Sequence, residues 1–323
     1  MNRIAILDRY PFSSPWIRGV VRRFALPVWF AAFALTGIAN ALRDTTLLYF
    51  DARLYLMATR QWLDGGDPWA VQLAGNAFAA PPPSLLALAP LAPLPLDVAV
   101  AIVAGLVIAA AVLSVRLLRL PWWWLLFPPL VQSVLSANVH ALVLPLVLLS
   151  AGPIAAVFKL YAAAPLVILG RWRALALSLA AFVATIPLLP WASYVDQFAT
   201  INARLVGQTD DALPTVVLLV LAPVALLAMA IVGRERAAWL AVPALWPSQQ
   251  YYYGSLAMGA RSGIAAALVA FPIPGSGLWA LLVLAAIEWR RGARPELPGR
   301  WSRARAGTIG VVTRRTTSLD SEA

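Results

Sequence analysis

Cysteine is absent from the 323 residues, which excludes disulfides, thiolate metal sites and cysteine nucleophiles. Histidine occurs once, as His140, too few for a multi-histidine metal centre, and neither a metal nor a cofactor is expected. Charge is scarce as well. Only 12% of residues are charged, about half the share of a soluble domain, whereas 61% are hydrophobic and the mean hydropathy is +0.78. Phosphate-cradling glycine loops of the G-x-x-x-x-G-K-[ST] or G-x-G-x-x-G type do not occur where they would matter, which argues against an ATP or nucleotide-sugar mechanism. Lysine is nearly missing too: Lys159 is the single example, inside an apolar segment, and every other basic residue is arginine.

Apolar runs of membrane-crossing length recur from Phe24 to Trp289. Continuous rather than alternating runs point to helices and not to a barrel. The expected fold is an all-α polytopic membrane protein with about eight to ten transmembrane helices. The net charge of +11 comes from arginines in an N-terminal group, in short loops and after Trp289. This is the pattern of positive-inside topology and contact with a lipid bilayer, and no nucleic-acid partner is expected. Residues 1–23 read as a cytoplasmic lead, 24–290 as the membrane domain and 291–323 as a basic, disordered tail. Ala39-Asn40-Ala41 also fits a signal-peptidase site, but the spans that follow favour an uncleaved anchor.

The segment 43–83 between the first two spans is too long and too acidic to be a plain connection. Arg22 and Arg23 before the first span place it outside the cytoplasm. Leu47, Phe50, Leu54, Met57, Ala58 and Trp62 recur at helical spacing, predicting an amphipathic helix in the membrane interface that Gly65-Gly66 and Pro68 end. Asp51 and Tyr55 share one of its faces. Asp64 and Asp67 read as turn residues, and Asp97 as the cap of the next span.

Further on, one span is expected from Trp122-Trp123-Trp124 to Asn138 and His140, followed by an apolar stretch, 141–170, interrupted by Gly152-Pro153 and Pro165. Broken helices of this kind line polar cavities inside membrane proteins. Lys159 lies at the middle of that stretch, and a lysine in such a setting needs an anion. Asp51 as general base and Lys159 as phosphate-binding cation are the minimum for moving a sugar from a lipid phosphate to a hydroxyl. Asp51 is thus the catalytic candidate, with Lys159, His140, Tyr55, Asn138, Gln250 and Tyr252 as candidates for binding the donor and its phosphate. Structural roles compete for each: a helix cap for Asp51, a satisfied interfacial histidine for His140, an aromatic belt for Tyr251-Tyr252-Tyr253.

These residues resemble the polyprenyl-phosphate-dependent mannosyltransferases of glycosyltransferase family 87, in the GT-C superfamily. The likeness rests on Asp51 and Tyr55, Leu63-Asp64-Gly65-Gly66-Asp67-Pro68-Trp69, Phe78-Ala79-Ala80-Pro81-Pro82 and the Leu88–Pro95 run. Ser136-Ala137-Asn138-Val139, Lys159, Trp172-Arg173-Ala174 and Pro247-Ser248-Gln249-Gln250-Tyr251-Tyr252 follow in the same order, although the family's Gly-Gln pair is missing. The resemblance spans about residues 24–260 and implies a GT-C-like fold and an inverting enzyme of the bacterial inner membrane. Asp51 would be its base, a polyprenyl-phosphate-linked sugar such as mannose the donor, and a glycan or glycolipid the acceptor. A transporter or flippase for a lipid or anion, and a catalytically degenerate scaffold, are the competing expectations.

Overall fold

A computed structural model describes residues 15–207 and 213–295. The expectations for 1–14 and for the tail beyond 295 lie outside the described residues. Among the described residues the chain is helical except for one hairpin, β1 (Gln72–Leu73) paired antiparallel with β2 (Asn76–Ala77). Among the described residues, three helices are long and apolar enough to cross a membrane: the Phe24–Arg43 part of α1 (Pro15–Arg43), α4 (Leu96–Leu117) and α11 (Thr215–Val232). Each turns large apolar side chains outward, as at Leu35, Leu106 and Leu219, so the chain is an all-α membrane protein.

The amphipathic segment of the first loop forms α2 (Phe50–Leu63). Its apolar face packs on α4 and on the short helix α3 (Pro83–Leu88). Gly65, at φ +80°, turns the chain away from it. Trp69 is wholly buried beneath, and its indole N–H donates to the Ala80 carbonyl at 3.2 Å. Asp67 is a turn residue, as expected, accepting the Trp69 N–H at 3.0 Å. Asp97 does not cap α4. The Pro95 turn brings Arg53 within reach, and the two pair at 3.1 Å in an exposed position of little energetic weight.

Where a continuous span is expected over 122–138 and an apolar stretch over 141–170, the structure has pieces. A 3₁₀ turn (Trp122–Leu126) leads to α5 (Pro128–Leu135), and a second (Val139–Leu142) to α6 (Val143–Leu148). Then come α7 (Gly152–Phe158), a 3₁₀ turn (Leu160–Ala162) and α8 (Ala163–Ile168). Pro128, Pro153 and Pro165 sit in first turns, where their missing N–H costs nothing but no preceding helix can run through them. Left-handed Ala137 and Ser150 turn the chain after α5 and α6.

Past α9 (Trp172–Ala184) and α10 (Trp191–Gly207), a third break follows α12 (Arg234–Leu245). There the chain crosses Trp246–Gln250 and enters ten residues of 3₁₀ helix, Tyr251–Ala260, far longer than the usual three or four. This run packs against α12 and α5, and α13 (Gly263–Val269) and α14 (Ser276–Arg290) complete the bundle. Gly277 lets α14 lie directly on the Pro243 carbonyl, where any Cβ would collide.

Trp69→Ala removes both a fully buried ring and the bond to Ala80, so it is expected to destabilise by about 3–5 kcal/mol. Thermal unfolding in detergent checks this, with Trp69→Phe expected to cost clearly less.

Candidate functional site

The three breaks and the first loop meet. Two backbone bonds tie the start of α2 to the end of α5: Tyr49 N–H to the Leu135 carbonyl at 2.8 Å and Asp51 N–H to the Ser136 carbonyl at 3.1 Å. Amide groups without partners at one helix end thus satisfy carbonyls without partners at another. Tyr49 reaches this geometry at φ 58°, and Ala137, across the junction, at φ 50°. Non-glycine residues take such conformations at a cost and persist in them where surrounding packing demands it.

The junction delivers the Asp51 carboxylate, 9% exposed, to the fully buried Asn138, whose amide donates to Oδ2 at 2.8 Å. The Asn138 carbonyl oxygen in turn accepts the His140 N–H at 2.8 Å, so both ends of its side chain are engaged. The carboxylate is therefore aimed by a neutral partner. Burial is the largest influence on Asp51 and holds its acid group above the usual carboxylate range, against the pull of the Lys159 charge and of hydrogen bonds from Ser136 and Asn138.

Lys159 lies in extended backbone between α7 and α8, half-buried. Its ammonium sits 5.3 Å from the Tyr55 ring centre and 5.8 Å from that of Tyr252. No ion pair or hydrogen bond holds it among the described residues. Two ring faces stabilise the cation by about 1 kcal/mol each and leave its donors free.

Asp51, Tyr55, Lys159, Gln250 and Tyr252 line one cavity of about 230 Å³. Its remaining walls are the Asn76–Pro81 segment, the inward face of α10, and Trp246, Ser248 and Tyr253. Asn138 is not part of the lining and acts on it from behind, through Asp51. His140 does not line it: the ring is wholly buried, with Nδ1 2.6 Å from the Tyr161 hydroxyl and Nε2 2.9 Å from that of Ser255. With both nitrogens engaged behind the wall, its place is to fix Tyr161, which does line the cavity. Comparison of the chain with known protein families, with curated proteins and with solved structures finds no match. The case for function therefore rests on this geometry.

Residue reasoning did not single out Tyr161, Tyr194, Ser248, Asn76 or Asn202 as site residues. The signal for α10 was present: Tyr194, Phe198, Ile201, Asn202 and Leu205 recur at helical spacing, and all face the cavity. Asn76 carries no such signal, because it follows a tight turn at Ala74-Gly75, both in left-handed conformation.

A second cavity adjoins the first. An apolar groove of about 450 Å³ runs along α7, α8 and α9 and shares Leu160 with it. The one hydroxyl of its lining, Ser178, is spent on the Ala174 carbonyl at 2.8 Å.

Two outcomes follow. Asn138→Ala leaves the Asp51 oxygen and the His140 N–H without a partner inside protein, an expected loss of about 1–3 kcal/mol in unfolding measurements. The raised acid group of Asp51 means that the folded state favours its protonated form. The stability this contributes is fully present below about pH 4, where the unfolded carboxyl titrates, and is lost as pH rises through the higher folded value. Asp51→Asn is expected to flatten the melting temperature against pH in that window, relative to wild type.

Proposed function

We propose that the protein is a membrane glycosyltransferase that moves a sugar from a polyprenyl phosphate to an acceptor hydroxyl, with inversion. One observation carries the reading: a carboxylate and an unpaired ammonium line the same cavity without neutralising one another. A binding or structural pair would close into a salt bridge; a base and an anion-binding cation must stay apart.

In the proposed reaction the acceptor O–H attacks the anomeric carbon. Its proton passes to Asp51, the new C–O bond forms opposite the phosphate, and the old C–O bond breaks with its electron pair leaving on the phosphate oxygen. Lys159 stands where that negative charge develops, with Gln250 and Tyr252 beside it. Burial makes Asp51 a stronger base than an exposed aspartate. The groove joined at Leu160 offers the isoprenoid tail an apolar bed next to the phosphate site.

In this reading the interrupted helices, taken in pairs, supply the rest of the eight to ten crossings of a GT-C-like fold. The cavity faces the outside of a bacterial inner membrane, and mannose is the first sugar to test. The breaks and the intramembrane cation also suit a transporter. A carboxylate delivered by a helix of the first loop and an adjoining lipid-shaped groove support transfer instead.

The test is sugar transfer by purified protein from mannosyl-phosphate polyprenol. Asp51→Asn is expected to lower the rate by about 10²–10⁴-fold and Lys159→Met by about 10²–10³-fold. Wild-type turnover should rise with pH through the raised Asp51 value, since only the ionised form accepts the proton. Transfer by Asp51→Asn at the wild-type rate would refute the assignment of the base.

A further inference from the structure

The cavity is built from two unlike walls. The inner wall comes from the helix breaks and holds the cation Lys159 with Ser248, Gln250 and Tyr252. The outer wall is α10 and the hairpin, which touch one another. There the cavity meets Tyr194, Phe198 and two carboxamides, Asn76 and Asn202, and no charged group.

Two of the longer polar side chains of α10, Gln197 and Arg204, are turned elsewhere and used. Gln197 donates to Asp67 at 3.0 Å, and Arg204 donates to the Trp69 carbonyl at 3.2 Å. These bonds fix the rotation of α10 so that Asn202 and Phe198 face the cavity. Asn202 itself makes no hydrogen bond among the described residues, and Asn76 spends one N–H on the Ala74 carbonyl at 3.2 Å.

A carboxamide both donates and accepts, as a sugar hydroxyl does, and it does not discriminate in favour of charge. Amides set beside aromatic rings are a surface for the polar edge and apolar face of an uncharged sugar. On the same helix Phe198, 52% exposed, adds apolar surface to the cavity wall. Surface of that kind suits an acceptor delivered from the membrane plane.

We propose that this outer wall, centred on Asn76 and Asn202, is the acceptor subsite, and that it selects an uncharged sugar ring carried on a lipid. The proposal rests on the transferase reading above. It orders the reaction in space: donor phosphate at the inner wall, acceptor at the outer wall, Asp51 between them.

The test uses the whole protein in detergent, with mannosyl-phosphate polyprenol as donor and three acceptors: octyl α-mannoside, methyl α-mannoside and octyl glucuronide. Asn202→Ala and Asn76→Ala should each raise the KM for octyl α-mannoside about tenfold, while donor KM moves less than twofold. Circular dichroism melting should show both variants folded, since Asn202 is exposed and Asn76 is only partly buried, in the two-residue strand β2. Wild type should prefer octyl α-mannoside to methyl α-mannoside and to octyl glucuronide by at least about tenfold. An unchanged acceptor KM, or a rise in donor KM instead, overturns the acceptor assignment. Equal use of the methyl and octyl sugars overturns the lipid-borne acceptor, and preference for the glucuronide overturns the neutral one. A wild type that transfers to none of the three overturns the transferase reading itself.

Discussion

A helix that stops inside an apolar bundle leaves carbonyls and N–H groups that no solvent will satisfy, at several kcal/mol for each one left unpaired. Among the described residues, helices stop in this way after α5, after α7 and after α12. The junction between α2 and α5 shows how the cost is met. The first N–H groups around α2 are given to the last carbonyls of α5, at Leu135 and Ser136. Because that exchange fixes both helix ends, it also fixes Asp51 over Asn138. The site is thus assembled by the same bonds that make the broken backbone tolerable.

Among the described residues, the charged groups nearest the site have neutral neighbours. Asp51 is oriented by an amide, Lys159 by two rings, and the ends of α6 and α8 by the arginines Arg171 and Arg234, which donate to the Val147 and Ile168 carbonyls. The contrast is with the surface, where Arg53–Asp97 and Arg236–Glu288 close as ordinary ion pairs. Inside, the Asp51 carboxylate and the Lys159 ammonium stay unpaired, each held by a neutral neighbour.

Long uninterrupted patterns were legible from the residues alone. Phe24–Arg43, α4 and α11 are plain apolar runs, and α2 announces itself by spacing and by the Gly65-Gly66 stop. The pieces between 122 and 168 were not legible as pieces. Hydropathy averages over prolines, and the left-handed turns fall on Ala137 and Ser150, residues with no propensity for them. Asp51 and Lys159, which share a cavity, stand out in the sequence because a charge in an apolar context is visible locally. That Asn138 holds Asp51 was not, since the two are 87 positions apart. His140 was placed against the ligand on chemical type, whereas its burial between Tyr161 and Ser255 depends on a break 115 residues later.

The scarcity of lysine has a practical side. With every other basic side chain but His140 an arginine, the chain's single side-chain amine stands at the wall of the cavity, among tyrosines rather than in an ion pair. Amine-selective reagents therefore meet one side-chain target in the whole sequence, and it is the one that faces the ligand space. A spectroscopic label or a crosslinker attached by acylation would report from inside the site without any engineered cysteine. Protection of that amine would count occupied sites molecule by molecule.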